Sequence, residues 1–129
     1  LAPFCSNKTP EYKKFVWRGL TFLNPLSIAG GVDKTAQNLV HWQKLGVGFL
    51  EVGTITPLPQ GPNPGQILDR DVKTRSLWNK MGFPNAGSQA VLERIQKQKS
   101  QLRVPLFVNV GKNRNTANEN AAQDYIACM

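Results

Sequence analysis

Leu26-Ser27-Ile28-Ala29-Gly30-Gly31-Val32-Asp33-Lys34 opens as a short apolar run and closes on two glycines and an Asp-Lys pair. The apolar part reads as a buried strand. Adjacent glycines at a strand end let the backbone approach a ligand or turn through positive φ. A helical pattern follows at once, over Thr35 to Lys44, with Ala36, Leu39 and Val40 on one face and Gly46 as the stop. Lys34 therefore sits where the helix dipole disfavours a cation. Such a lysine implies a negative or electron-rich group nearby, although glycines and lysines also occur in ordinary βα turns.

Upstream, Phe15 to Leu23 carries strand-forming residues on both sides of Arg18-Gly19, a two-residue hairpin signal. Residues 1 to 14 are irregular and basic. Asn24-Pro25 separates the hairpin from the first buried strand. Downstream, Val47 to Val52 reads as a second buried strand, ending at Gly53-Thr54-Ile55-Thr56-Pro57. A long excursion from Pro57 to about Gly87 contains two short strand-like pieces, around Ile67-Leu68 and Ser76-Leu77-Trp78. Excursions of this length are commonly functional when they are ordered.

Ser88 to Lys99 reads as a second helix, with Val91, Leu92 and Ile95 inward and a Glu93–Lys97 pair outside. Val104 to Val110 is a third strand, ending in Gly111-Lys112-Asn113. Thr116-Ala117-Asn118-Glu119 has the form of a capping box for a third helix, with Ala122, Tyr125, Ile126 and Met129 on one face. The order is strand, helix, three times over. The strands are apolar throughout, as expected for a parallel sheet covered on both faces. Polar and glycine motifs gather at the strand C-termini, the edge where α/β folds bind ligands.

The chain has 129 residues and a net charge of +8, with 40% hydrophobic and 19% charged residues. That is a folded composition, and the charge favours anionic partners without choosing one. No apolar run reaches the length of a membrane span. Two cysteines, Cys5 and Cys128, and a lone His41 make neither a zinc site nor a disulfide framework, so no metal is expected and a reducing compartment is. No basic-aromatic motif marks a nucleic-acid module, and none is expected as a partner. Three βα units are too few for an eight-stranded barrel of about 250 residues. The chain reads as a small open sheet or as the front of a barrel.

Four motifs occur in order: Ala29-Gly30-Gly31-Val32-Asp33-Lys34, Glu51-Val52-Gly53-Thr54-Ile55-Thr56-Pro57, Asn79-Lys80-Met81-Gly82-Phe83 and Asn109-Val110-Gly111-Lys112-Asn113. Together they resemble class 2 dihydroorotate dehydrogenase, the quinone-linked flavoenzyme of pyrimidine synthesis, from about Arg18 to Met129. The resemblance implies the first three βα units of a (β/α)8 TIM barrel, preceded by a short β-hairpin. Residues 1–129 would then be a partial FMN-binding domain, truncated at both ends. It implies FMN contacts from Gly30, Gly31, Val32, Asp33, Lys34, Thr54 and Asn109. It implies dihydroorotate or orotate contacts from Lys34, Asn79, Lys80, Met81, Gly82 and Phe83. On spacing alone, Thr54 and Asn109 read first as a strand end and a strand-end cap, and Asn79 reads equally well as a turn residue.

The family's catalytic serine is expected beyond Met129, as are the residues that hold the FMN phosphate. The resemblance implies that the quinone site, and peripheral attachment to the cytoplasmic side of a bacterial inner membrane, would belong to two helices preceding this stretch. Two departures stand out. Ala36 replaces a glycine, which is expected to be harmless because alanine favours a helix. Gln66-Ile67-Leu68-Asp69-Arg70 keeps only the last arginine of a Pro-Arg-x-Phe-Arg-like segment. The alternatives are a class 1 or other FMN barrel oxidoreductase, and a basic phosphate- or nucleic-acid-binding α/β module. A three-stranded parallel sheet leaves two unpaired edges, so this piece is expected either to self-associate or to occur only with the missing half of the barrel present. The purified 129-residue chain is predicted to form no orotate from dihydroorotate. Measurable orotate in a spectrophotometric assay would contradict this.

Overall fold

A computed structural model describes residues 8–129, and Cys5 and the first part of the irregular basic stretch lie outside them. The first element is the expected hairpin. Strands β1 (Phe15–Trp17) and β2 (Leu20–Phe22) pair antiparallel, with Phe15 opposite Phe22. Arg18 and Gly19 between them both have positive φ, 46° and 77°. This is the turn geometry that matches strand twist in a two-residue hairpin.

Three strands form a parallel sheet in the order β3 (Ser27–Ile28), β4 (Phe49–Ile55), β7 (Leu106–Val110). Side chains alternate between its two faces, as the pleat requires. On one face Leu50, Val52 and Ile55 pack with Ala36, Leu39, Val47, Val91 and Val104 to make the core. Full burial of each valine, leucine or isoleucine among them contributes roughly 1.5–3 kcal/mol. On the other face, Phe49 and Phe107 meet Phe22 of the hairpin, with ring centroids 5.5 and 6.0 Å away. Burial on both faces is thus not uniform: Val108 and Asn109 of β7 are exposed.

Strand β4 runs further than the sequence suggests. It continues through Gly53 and Thr54, whose peptide bond is cis, to Ile55, with an irregularity in its pairing to β7 after Val52. The bulge resets the alternation, so Thr54 lies on the same side as Glu51.

The helix expected over Thr35–Lys44 is much shorter. Its α-helical part is α1 (Leu39–Trp42), followed by a 3-10 turn at Gln43–Leu45. The reason is the Asp33 carboxylate, which is 5% exposed. It accepts the amide N–H groups of Thr35 (3.4 Å), Gln37 (3.0 Å) and Asn38 (2.9 Å) and holds them in a loop. Ala36 within that loop is fully buried at φ 55°. A non-glycine residue in the left-handed region costs roughly 1–2 kcal/mol, so alanine here does not support a helix. The loop is pinned from behind by α2 (Ser88–Gln98): the Arg94 guanidinium donates to Thr35 O, and the Gln98 amide donates to Ala36 O at 2.7 Å.

In α2, Val91 is fully buried and Ile95 packs on the core, but Leu92 is 47% exposed. Glu93 accepts a hydrogen bond from Gln89 at 3.1 Å. The expected capping box does not form. Thr116 lies in a turn, no side chain caps the 3-10 turn Asn118–Asn120, and α3 is Ala121–Ala127. Tyr125, Ile126 and Met129 are exposed. Burial and then the nearby Asp124 charge raise the pKa of the Cys128 thiol.

The excursion is ordered around a second hairpin, β5 (Leu68–Asp71) with β6 (Ser76–Asn79). Its base is closed by a buried polar knot. Thr56, which is fully buried, accepts hydrogen bonds at Oγ1 from Asn85 (2.8 Å) and Asn113 (3.1 Å) and donates to Leu58 O. Asn113 also donates to Gln60 Oε1 (3.0 Å) and accepts from Leu58 N, while its backbone N–H donates to Asp124.

These contacts separate two neighbouring residues. Asp33→Ala removes the acceptor of three amides and is expected to cost about 3 kcal/mol or more. Val32→Ala, at a side chain 57% exposed, should stay within about 0.5 kcal/mol. Urea unfolding of both variants measures this, and equal losses would contradict the role of Asp33.

Candidate functional site

The site follows from the face of the sheet that does not meet the helices. Along that face, β4 presents Phe49, then Glu51, then Thr54, and β7 presents Phe107, then Asn109. The aromatic end is plugged by the β1–β2 hairpin. The polar end lies at the strand C-termini, where the chain after β3 turns through Gly30 and Gly31. A cavity of about 210 Å³ opens there, lined by Gly30, Gly31, Lys34, Glu51, Thr54, Asn79, Met81, Gly82, Phe83, Pro84 and Asn109.

Each wall has a cause. The glycine turn is tied down by Gly31 N donating to Gly53 O at 2.6 Å and Gly53 N donating to Asp33 O at 3.2 Å. Lys34 turns back so that its Nζ donates to Gly31 O. Its ammonium is thereby placed at the cavity wall with donor capacity to spare. Thr54 Oγ1 donates to Asn109 Oδ1 at 2.8 Å, and Asn109 Nδ2 donates to Glu51 Oε1 at 3.1 Å.

The excursion supplies the roof. Gln60 pairs with Asn85 through two backbone hydrogen bonds, and its side chain donates to Gly82 O at 2.9 Å. Asn63 N donates to Met81 O, and Asn63 Nδ2 donates to Lys80 O at 2.7 Å. These links lay Asn79 to Pro84 across the strand ends. Gly82 is required here: it has φ 77°, and a Cβ would fall 2.5 Å from Asn63 Oδ1.

Most of the residues singled out in the sequence converge on this cavity: Gly30, Gly31, Lys34, Thr54, Asn79, Met81, Gly82, Phe83 and Asn109. Three do not line it. Val32 is exposed, Asp33 is turned inward as the acceptor that shapes the loop, and the Lys80 ammonium lies 5.7 Å from the Trp78 ring. Two lining residues were missed. Glu51 was legible, because it stands two residues after Phe49 on a strand and so shares its face. Pro84 had no such signal.

The chemistry available is a fixed cation, a threonine hydroxyl, the Asn109 amide with the Glu51 carboxylate behind it, and bare backbone on one side, with the Asn79 amide and the apolar Met81, Phe83 and Pro84 on the other. That combination suits a flat, amide-rich ring with some negative charge.

The chain resembles known proteins over most of its length. A family model described as dihydroorotate dehydrogenase matches residues 13–129. A relative from Stenotrophomonas maltophilia (strain R551-3), named dihydroorotate dehydrogenase (quinone), is 45% identical over 111 residues, which is 86% of this chain and 31% of the relative. One of the same name from Thermus thermophilus is 46% identical over 112 residues, 86% of this chain and 32% of that one. A crystal structure of DHODH from Eimeria tenella in complex with ferulenol superimposes with a TM-score of 0.81 at 37% identity, covering 96% of this chain and 34% of that one. The chain thus spans about a third of the length of these relatives. Its α/β architecture is that of three βα units at the N-terminal part of such a barrel, preceded by a β-hairpin. On the match to 117 of its residues and on these identities, the chain belongs to the dihydroorotate dehydrogenase family.

Proposed function

We propose that the complete protein is an FMN-dependent dihydroorotate dehydrogenase that passes electrons to a quinone, and that this chain supplies one wall of its flavin and substrate site. The observation that carries the reading is the convergence of Lys34, Thr54, Asn79 and Asn109 on a single cavity at the C-terminal edge of parallel strands. The bare Gly30–Gly31 backbone and the mixed polar and apolar lining fit the ring portion of a flavin. A cavity of about 210 Å³ does not hold a whole mononucleotide. The phosphate and the rest of the site are assigned to the remainder of the barrel.

Bound FMN would supply the two-electron acceptor for hydride from dihydroorotate. The chain's own residues set the surroundings. Lys34 offers N–H donors to an anionic group, either the substrate carboxylate or negative charge gathering on the ring system. A fixed ammonium acts most strongly where water is excluded. Asn79, held at the end of β6, offers a paired donor and acceptor to the amide edges of a pyrimidine, and a substrate lacking those edges would leave them unpaired. Phe83, Met81 and Pro84 supply the apolar lining beside that contact. The proton acceptor, a serine by family resemblance, is assigned to a segment outside these residues. Attachment to the cytoplasmic side of a bacterial inner membrane is likewise assigned elsewhere; among the described residues no helix is long and apolar enough to cross a membrane.

The test is kinetic, in the complete protein with FMN. Lys34→Ala and Asn79→Ala are each expected to lower kcat/KM for dihydroorotate about 100-fold or more, as for loss of one preorganised donor. Turnover within threefold of the parent in both variants would overturn the reading.

A further inference from the structure

We infer that Glu51 is a positioning residue, fixing which way the Asn109 amide and the Thr54 hydroxyl point into the site. An asparagine amide has a donor end and an acceptor end of nearly the same shape, so its orientation depends on its neighbours. Glu51 settles the matter. As a carboxylate it only accepts, so the atom of Asn109 that faces it at 3.1 Å is the nitrogen. The Asn109 oxygen must then face Thr54, and the Thr54 hydroxyl must donate its proton to that oxygen, at 2.8 Å. With its proton committed, Thr54 Oγ1 turns only lone pairs toward the cavity. The relay is a one-way chain of donors ending at an acceptor-only charge, and the site face of Thr54 is set to receive an N–H.

A second observation ties the carboxylate to the glycine turn. A Cβ at Gly30 would lie 2.5 Å from Glu51 Oε1. The bare position thus gives the carboxylate its seat as well as opening the backbone to a ligand. Below it on this face of β4 and β7 stand the rings of Phe49 and Phe107, which offer the Asn109 nitrogen no competing acceptor.

The inference rests on the flavin-site reading for what the relay serves, so the experiment separates the two. In the complete protein labelled with ¹⁵N-asparagine, Glu51→Leu is expected to shift one Asn109 side-chain N–H proton toward its unbonded position, and Glu51→Gln, which keeps an acceptor, to leave it in place. No shift in the Leu variant would overturn the relay whether or not flavin is bound. With FMN, Glu51→Leu should weaken flavin binding about 10- to 100-fold, the size of one lost hydrogen bond to a charged group. Glu51→Gln should recover to within about threefold. In an Asn109→Leu background, Glu51→Leu should add less than about twofold, because its route to the ligand is gone. The same loss in both backgrounds would show that Glu51 acts on stability and not through Asn109. Parent protein that takes up no FMN would defeat the flavin-site reading, and the resonance shift would still decide the relay.

Discussion

A fully buried threonine hydroxyl, Thr56 Oγ1, holds the molecule's two halves together. It stands just past the end of β4. Asn85 reaches it from the far end of the excursion and Asn113 from the turn after β7. In a buried setting each of these groups would be costly unpaired, so they stabilise one arrangement and oppose the alternatives. The arrangement they select brings a loop of about thirty residues back over the strand ends. Everything that Asn79 to Phe83 contributes to the cavity depends on that return.

The sheet divides its labour along its length. At the N-terminal ends of β4 and β7, Phe49 and Phe107 close against Phe22 and the hairpin. Two residues further on, the same face carries Glu51 and Asn109. Apolar packing thereby fixes the strands that the polar end needs held still. On the opposite face the core of Leu50, Val52, Ile55 and Val91 seats α2, and α2 in turn pins the Asp33 loop through Arg94 and Gln98. Lys34 points into the cavity because its neighbour Asp33 is anchored.

Much of this was legible in the sequence. The hairpin turn at Arg18-Gly19, the apolar strands and the glycine-rich strand ends each follow from local rules. The order of strands and helices placed Lys34, Thr54 and Asn109 at one edge, and the family resemblance added Asn79. What local rules missed lies where a distant group overrides propensity. Thr35 to Asn38 has helical periodicity, but a carboxylate capturing three amides outweighs it, and Ala36 is forced into the left-handed region. Thr116 to Glu119 has the letters of a capping box, yet Asn113 and Asp124 already fix the chain there. The knot itself was invisible, because Thr56, Asn85 and Asn113 are separated by 29 and 57 residues in hydrogen bonds that no periodicity encodes.

The central claim is that this knot places the Asn79–Phe83 loop over the cavity. Amide hydrogen exchange on the complete protein, parent against Asn113→Leu, tests it most directly. The account predicts faster exchange at Asn63 and Asn85, whose amides bond within the excursion, with the amides of β4 still protected. Unchanged protection in the excursion would contradict it, as would a uniform loss that spared no part of the sheet.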